Sequence, residues 1–191
     1  MIAGIAALGM LASAMTGCGA GGANGAISVI TREDGSGTRG AFTELCGIVA
    51  DDKDNTVSSA EVTNSTAVML TTVAGNSAAI GYVSMGSLND SVKAVKVDGV
   101  EATPENVSNS SYSISRPFNI VTKTDGISDA AQDFINFIMS ADGQKVVSEN
   151  GYITVNDAAP AYAASGVSGK VVVGGSSSVT PVLEKLKEAY L

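Results

Sequence analysis

Histidine and tryptophan are absent from this sequence, and basic residues are few. Without histidine, the commonest general base and the commonest metal ligand are both unavailable. Lysine and arginine number 11 against 19 acidic residues, which gives a formal net charge of −8. This excess of negative charge argues against partners such as nucleic acid or anionic membrane surfaces. An acidic protein can still bind an anion where backbone N–H groups and arginine line the site.

Cysteine is also scarce, since Cys18 and Cys46 are the only two, and no disulfide framework is predicted. Cys46 is predicted to be a small core residue on the apolar face of a helix. Charged residues make up 16% of the chain and hydrophobic residues 45%. This balance is typical of a globular α/β protein and not of a disordered one.

The first 15 residues are small and apolar, and the run is too short to span a bilayer. It is typical of a signal peptide that ends in Thr16-Gly17-Cys18. Small residues before a cysteine resemble the processing site of bacterial lipoproteins, which implies that Cys18 becomes the lipidated first residue of the mature chain. The alternative is a buried N-terminal segment. Residues 18–26 are predicted to form a flexible tether.

The richest pattern is residues 27–42, in which an apolar strand, a glycine-rich turn and a helix follow one another. This order directs free N–H groups and the positive end of a helix dipole at one point. Arg32 adds a planar guanidinium that suits a tetrahedral oxyanion. Asp34 is predicted either to hold Arg32 in position or to accept a proton from the anion. A helix N-terminus with glycines that serve only the turn remains the alternative.

The string RxDGSGTR, residues 32–39, resembles the second-lobe anion loop of the phosphate-binding proteins that serve ABC importers. It is not a P-loop, because no GK[ST] follows. The resemblance implies that the following residues contact phosphate: Arg32, Asp34, Ser36, Gly37 and Thr38. Residues 64–84 are also similar to that family, with an Asn-Ser-Thr start, a helix and the run AIGYVS.

A second strand, turn and helix pattern lies at residues 170–191, where GSSSVTP resembles the first-lobe anion loop of the same family. The resemblance implies that Ser177, Ser178 and Val179 contact the ligand. The loop order is then permuted, and we expect a fragment of a circular permutant, or a fusion or truncation product, in which most first-lobe strands are missing.

Between the two loops, strands are predicted at residues 78–83 and 92–97 and helices at 128–139 and 140–149. Residues 112–123 are predicted to be extended, because Pro117 disfavours a helix; in the family this run is the strand that returns to the first lobe. We interpret Arg116 as a structural arginine at a hinge, with an anion ligand as the alternative.

The predicted fold class is α/β of the periplasmic-binding-protein type (type II-like), with one lobe nearly complete and part of the second. The predicted divisions are the signal peptide (1–17), the tether (18–26), the second-lobe domain with its anion loop (27–115), the return crossing and C-terminal helices (116–155), a linker (156–169) and the start of the first lobe (170–191).

The resemblance implies a lipoprotein, anchored outside the cell membrane, that captures inorganic phosphate and delivers it to an ABC permease. It implies no metal or organic cofactor, no nucleic-acid partner and no enzymatic activity. A protonated phosphate can donate a hydrogen bond to a carboxylate, whereas sulfate cannot. Three alternatives stay open: another oxyanion such as sulfate or molybdate, an enzyme acting on phosphate esters, and a surface lipoprotein with a structural or adhesive role.

Overall fold

The computed structural model describes residues 25–191, so the predicted signal peptide, Cys18 and most of the predicted tether lie outside the described residues. The strands are β1 (Ser28–Arg32), β2 (Val49–Ala50), β3 (Lys53–Asp54), β4 (Glu61–Thr63) and β5 (Ala79–Ile80). The helices are α1 (Gly37–Leu45), α2 (Thr66–Gly75), α3 (Pro104–Ser108), α4 (Asp129–Met139), α5 (Ala141–Glu149) and α6 (Thr180–Tyr190), with a single 3-10 turn at Met85–Ser87.

A small parallel sheet positions the first predicted loop. Strand β1 lies in its centre, with β4 on one side and β5 on the other. The register pairs Arg32 with Thr63 and Ser28 with Ala79. Because the carboxyl ends of parallel strands meet at one edge, the residues that follow β1 and β4 lie side by side. Strands β2 and β3 form a separate antiparallel hairpin.

Serine side chains begin four of the helices. The hydroxyl of Ser36 caps α1, and the hydroxyls of Ser65, Ser128 and Ser140 cap α2, α4 and α5. Each accepts a hydrogen bond from a backbone N–H in the first turn, which would otherwise lack a partner. Helix α6 begins differently, because Val179 offers no capping side chain.

The main core is helical. Phe134 and Phe137 of α4 pack with Val182 and Leu186 of α6, and Val146 and Val147 of α5 flank them. A smaller buried contact near the sheet contains Ile30 of β1 and Met69 of α2. Residues 180–190 are therefore fixed onto the α4–α5 pair. No helix among residues 25–191 has both the length and the apolar character to cross a membrane.

Several predicted strands are irregular in the structure. Residues 92–97, 112–123 and 171–173 form no ladder within the described part of the chain, apart from one bridge between Val97 and Val100. Val121 is 88% exposed and Val172 is 81% exposed. A strand needs a neighbour to satisfy its backbone N–H and C=O groups, and none of the described strands lies beside these segments. The predicted strand 78–83 is shorter, since only Ala79–Ile80 pairs.

The predicted core position of Cys46 is wrong. Cys46 is exposed and follows the last residue of α1 as its C-cap, just before Gly47 with its positive φ of 65°. Thr43 is the buried residue of α1, and Leu45 lies largely in solvent. Helix α1 ends before Cys46, so the helical periodicity that would have placed Cys46 on the apolar face does not extend to it.

Candidate functional site

The two predicted loops lie against each other, although 140 or more residues separate them in the chain. We call residues 32–38, from the end of β1 into the first turn of α1, the first loop and residues 176–179, before α6, the second loop. The hydroxyl of Ser177 accepts a hydrogen bond from Arg32 Nη1 at 3.0 Å. The hydroxyls of Thr38 and Ser178 share a hydrogen bond. Both contacts join the sheet edge to the beginning of α6.

Arg32 is the charged centre of this cluster. It is the last residue of β1 and is only 2% exposed. Burying a guanidinium is costly unless each N–H group has an acceptor. The acceptors are Glu33 (2.9 Å to Nε and 3.0 Å to Nη2), Thr63 O (3.2 Å to Nε), Asn64 O (3.5 Å to Nη2), Thr66 Oγ1 (3.4 Å to Nη1) and Ser177 Oγ (3.0 Å to Nη1).

Glu33, and not Asp34, holds Arg32 in place, so that part of the prediction for Asp34 is wrong. The two carboxylate oxygens of Glu33 accept from Nε and Nη2, and this contact lowers the pKa of Glu33. The side chain of Asp34 is 97% exposed and pairs with Arg39 at 2.8 Å. Within a strand, successive side chains point to opposite faces of the sheet. Strand β1 ends at Arg32, so this rule does not keep the side chains of Arg32 and Glu33 on opposite faces.

A second arginine supports the first loop from the other side. Arg39 Nη1 donates to the carbonyl oxygen of Arg32 at 2.9 Å, and Arg39 Nη2 contacts Asp54 at 2.7 Å. Hydrogen bonds from Thr56 first, and then from Arg39, lower the pKa of Asp54 to about 2. The groove beside Arg39 is lined by Asp34, Glu44 and Asp54. These carboxylates repel an anion, so the groove beside Arg39 is poorly suited to bind one.

The remaining predicted residues lie around the same point. Ser36 uses its hydroxyl to cap α1 by accepting from Arg39 N at 3.3 Å. Gly37 begins α1 so close to the second loop that a Cβ atom would lie 3.2 Å from Ser176. The Val179 N–H donates to Ser176 O at 2.9 Å. The structure therefore brings the predicted residues of both loops together, except that the carboxylate of Asp34 turns away toward Arg39.

Two tyrosines in the cluster have no counterpart among the predicted site residues. The Tyr82 hydroxyl accepts from Arg32 N at 3.0 Å, and its ring stacks on Phe42 at 4.3 Å between centroids. The Tyr152 hydroxyl donates to Ser178 O at 3.1 Å. Both tyrosines follow a glycine in the runs AIGYVS and ENGYI. The run AIGYVS is part of the family resemblance, but spacing alone does not show which residue a tyrosine hydroxyl reaches.

The cluster combines one guanidinium end, several hydroxyls and a helix N-terminus. Hydroxyls both donate and accept, so they match an oxyanion that carries protons on some of its oxygens. Within residues 25–191, every buried side-chain N or O atom has a hydrogen-bond partner. No cluster of His, Cys, Asp or Glu side chains in the same residues could hold a metal ion. In this structure Ser177 Oγ lies on Arg32 Nη1, at the place where an anion oxygen would bind that nitrogen.

Comparison with known proteins gives consistent matches. A family model described as a PBP superfamily domain matches residues 9–142. The phosphate-binding protein PstS 2 of Streptococcus agalactiae is 58% identical over 171 residues, which are 87% of this chain and 58% of the relative. The chain thus spans less than two thirds of the length of this curated relative.

Solved structures give the same picture. The crystal structure of a phosphate-binding protein of a phosphate ABC transporter from Streptococcus pneumoniae aligns with a TM-score of 0.72 and 49% identity, covering 87% of this chain and 66% of that one. A putative phosphate ABC transporter substrate-binding protein with bound phosphate, from Clostridium perfringens, aligns with a TM-score of 0.63 and 45% identity, covering 68% of this chain and 52% of that one.

Proposed function

Because the chain belongs to the PBP superfamily, we propose that it is a substrate-binding protein that captures inorganic phosphate outside the cell membrane and delivers it to an ABC permease. Membership of this superfamily agrees with the predicted fold class. By name, the Streptococcus agalactiae relative is a phosphate-binding protein, and the Streptococcus pneumoniae structure is that of a phosphate-binding protein of a phosphate ABC transporter. Capture and delivery require reversible binding and no bond-making step.

The observation that carries the proposal is the convergence of both loops on Arg32. Among the described residues, the hydrogen-bond acceptors of Arg32 Nη1 are two hydroxyl oxygens, those of Thr66 and Ser177. A phosphate oxygen can replace these neutral acceptors and gain a charge-assisted hydrogen bond. The amides of Gly37 and Thr38 lie in the first turn of α1, where N–H groups have no intrahelical acceptor and anions are stabilised.

The proposed ligands come from both loops and surround a tetrahedral anion from two sides. Thr38 and Ser178 contact each other now, and phosphate would separate them and receive a hydrogen bond from each. Asp34 is left out of the set because its carboxylate pairs with Arg39. The proposed phosphate-binding residues are Arg32, Ser36, Gly37, Thr38, Ser177, Ser178 and Val179.

The hydroxyls by themselves discriminate little between phosphate and sulfate. At neutral pH phosphate carries at least one proton, which can be donated to a serine or threonine oxygen. Sulfate carries none, but each ligand hydroxyl can rotate and donate its own proton to sulfate. We therefore expect hydroxyl ligands alone to favour phosphate over sulfate only weakly.

Isothermal titration of the chain with phosphate tests the proposal. Arg32→Ala should cost about 2–4 kcal/mol of binding free energy, because it removes a buried charge-assisted hydrogen bond. Arg32→Lys keeps a positive charge in the site should the alanine variant fold poorly. Arg116→Ala is the matched control, since Arg116 pairs with Glu44 on the surface. A loss below about threefold for Arg32→Ala, or no phosphate binding by the wild-type chain, would contradict the proposal.

Membrane anchoring through lipid on Cys18 is a separate proposal that rests on the sequence. It is supported by the apolar run that ends in Thr16-Gly17-Cys18. Intact-mass measurement of the protein from membrane fractions should give a mature chain that begins at a lipidated Cys18. Cys18→Ala should abolish this modification, whereas Cys46→Ala should not. A membrane-bound protein that retains residues 1–17 would argue against the anchor.

A further inference from the structure

We propose that Glu33 is the residue that positions Arg32, and that it limits the contact of Arg32 with a bound anion to the Nη1 end of the guanidinium. The second part of this inference, on the contact between Arg32 and an anion, rests on the proposed phosphate-binding function. The first part concerns the protein without ligand and can be tested separately.

The geometry assigns the two sides of the guanidinium to different partners. Glu33 Oε2 accepts from Nε at 2.9 Å and Glu33 Oε1 accepts from Nη2 at 3.0 Å. This is the parallel, two-bond arrangement that fixes an arginine most firmly. The backbone oxygens of Thr63 and Asn64 approach the same nitrogens from β4 and the turn after it.

The opposite end of the guanidinium is held by exchangeable contacts. Nη1 contacts the hydroxyls of Ser177 and Thr66, and neither carries a charge. Displacing a hydroxyl by a phosphate oxygen strengthens the contact, whereas displacing the Glu33 carboxylate would exchange one anion for another and leave Glu33 without its partner. An incoming phosphate is therefore expected at Nη1.

Charge neutralisation explains why the site can exist without ligand. Arg32 is buried, and Glu33 lies half-exposed beside it. An isolated buried guanidinium would be costly, so the adjacent carboxylate lets Arg32 keep its place at the sheet edge before phosphate arrives. The hydrogen bond to Arg32 lowers the pKa of Glu33, so this carboxylate stays ionised to more acidic pH than a free glutamate.

Asp34 provides a matched comparison. Glu33→Gln and Asp34→Asn remove one negative charge from adjacent positions, so their long-range effects on an anion are similar. They differ in the ion pair that each removes, because Glu33 holds Arg32 and Asp34 pairs with Arg39. Both changes keep the size and shape of the side chain. A difference in phosphate affinity between the two variants therefore reports on Arg32.

The first measurement is isothermal titration of the two variants with phosphate. Glu33→Gln should weaken binding on the order of tenfold, the size of one charge-assisted hydrogen bond. Asp34→Asn should bind as tightly as the wild type or more tightly, because a repelling carboxylate is removed. Equal affinities for the two variants, or tighter binding by Glu33→Gln, would overturn the proposal. Should Glu33→Gln fail to fold, Glu33→Asp, which keeps the charge but shortens the reach, takes its place with the same expected loss.

The second measurement follows the Nε–Hε group of Arg32 by ¹H–¹⁵N NMR, with Arg32→Lys to assign the resonance. In the wild type and in Asp34→Asn, this proton should exchange slowly with water, and phosphate should leave its shift nearly unchanged. In Glu33→Gln the exchange should be faster than in the wild type, because the charged acceptor of Hε is lost and Thr63 O remains. A large shift of Hε on phosphate addition would show that the anion takes the Nε side, against the proposal.

The two measurements separate this inference from the proposed function. If the wild-type chain binds no phosphate, the proposed function fails and the restriction to Nη1 falls with it. The Hε exchange rates then still decide the positioning role, since an exchange rate in Glu33→Gln equal to that of the wild type would overturn it, and faster exchange in that variant alone would support it.

Discussion

Two buried polar centres in this molecule show how differently a charged group can be stabilised. The first is Arg32, a cation that is met by one carboxylate and several hydroxyls. The second is Asp133 of α4, an anion that accepts hydrogen bonds from Tyr162 and from Tyr190, at 2.7 Å for the latter. We call the second set, Asp133 with Tyr162 and Tyr190, the tyrosine clasp.

The partners of the two centres differ in whether a ligand can replace them. Ser177 and Thr66 contact Arg32 through small hydroxyls on loop and helix-start positions. The tyrosines of the clasp carry rings that pack on Phe134 and Phe137, with centroids 5.1 and 5.2 Å apart. Removing them from Asp133 would open the helical core. The Arg32 centre is therefore suited to exchange with an anion, whereas the clasp is suited to permanent structure.

Helix α6 connects the two centres. Tyr190, its last residue, belongs to the clasp, and the second loop with Ser177 and Ser178 precedes its first residue. Val182 and Leu186 between them are buried against α4. The clasp and the core thus fix the position from which the second loop reaches Arg32. This dependence predicts that a substitution in the clasp affects the proposed anion site, and that a substitution at the proposed anion site leaves the helical core intact.

The largest effect on stability is expected from Phe137→Ala. Phe137 is 3% exposed and lies in the core between α4 and α6, so its truncation should lower the free energy of unfolding by about 3–5 kcal/mol. Phe118→Ala is the matched control, because Phe118 is 48% exposed and should cost much less. Urea denaturation followed by circular dichroism measures both. Equal losses would show that the helical core does not hold α6.

A smaller effect is expected from the clasp. Tyr190→Phe removes one hydrogen bond to Asp133 and keeps the ring in the core. It should lower the melting temperature by less than Phe137→Ala does, and weaken phosphate binding by less than Arg32→Ala does. Tyr112→Phe is the control, since the Tyr112 hydroxyl does not contact Asp133. Unchanged melting and binding in Tyr190→Phe would break the proposed link between the two centres.

The stability of the protein should depend on ionisation of the tyrosine clasp at both acidic and alkaline pH. Hydrogen bonds from Ser165, Tyr162 and Tyr190 lower the pKa of Asp133 below its ordinary 3.8. Ionised Asp133 therefore contributes to folding stability above pH 3.8, and this contribution is lost as the pH falls further. The hydrogen bond to Asp133 raises the pKa of Tyr162 above its ordinary 10.0, so that contribution is lost as the pH rises beyond it. Melting temperatures of the wild type should fall at both extremes. Asp133→Asn should flatten both falls, and a profile unchanged by this substitution would contradict the assignment.

The smallest effect is expected at the surface pair of Arg116 and Glu44. Its two side chains lie 3.2 Å apart and are both about half exposed. Glu44→Gln should change the free energy of unfolding by less than about 1 kcal/mol and leave phosphate affinity unchanged. Titration and urea denaturation of the same variant check this. A marked loss of phosphate affinity would restore Arg116 as a candidate anion ligand.

Local sequence patterns predicted much of the secondary structure around the site. Alternating apolar residues and glycines predicted the order of β1, turn and α1, and Ser128 and Ser140 predicted the starts of α4 and α5. These features depend on neighbours within a few residues. The segments 112–123 and 171–173 pair with no other strand among the described residues, because strand pairing depends on a partner that local sequence does not specify.

The sequence by itself determined that two small-residue turns precede helices and that Arg32 follows a strand, because backbone geometry at such turns depends on adjacent residues. Tertiary structure decided which carboxylate holds Arg32. Glu33 and Asp34 are adjacent and equally charged, and only the end of β1 and the position of Arg39 direct one toward the guanidinium and the other toward solvent. Tertiary structure also brought Ser177 to Arg32 across 145 residues of chain, because the packing of α6 on α4, and not any local pattern, sets that distance.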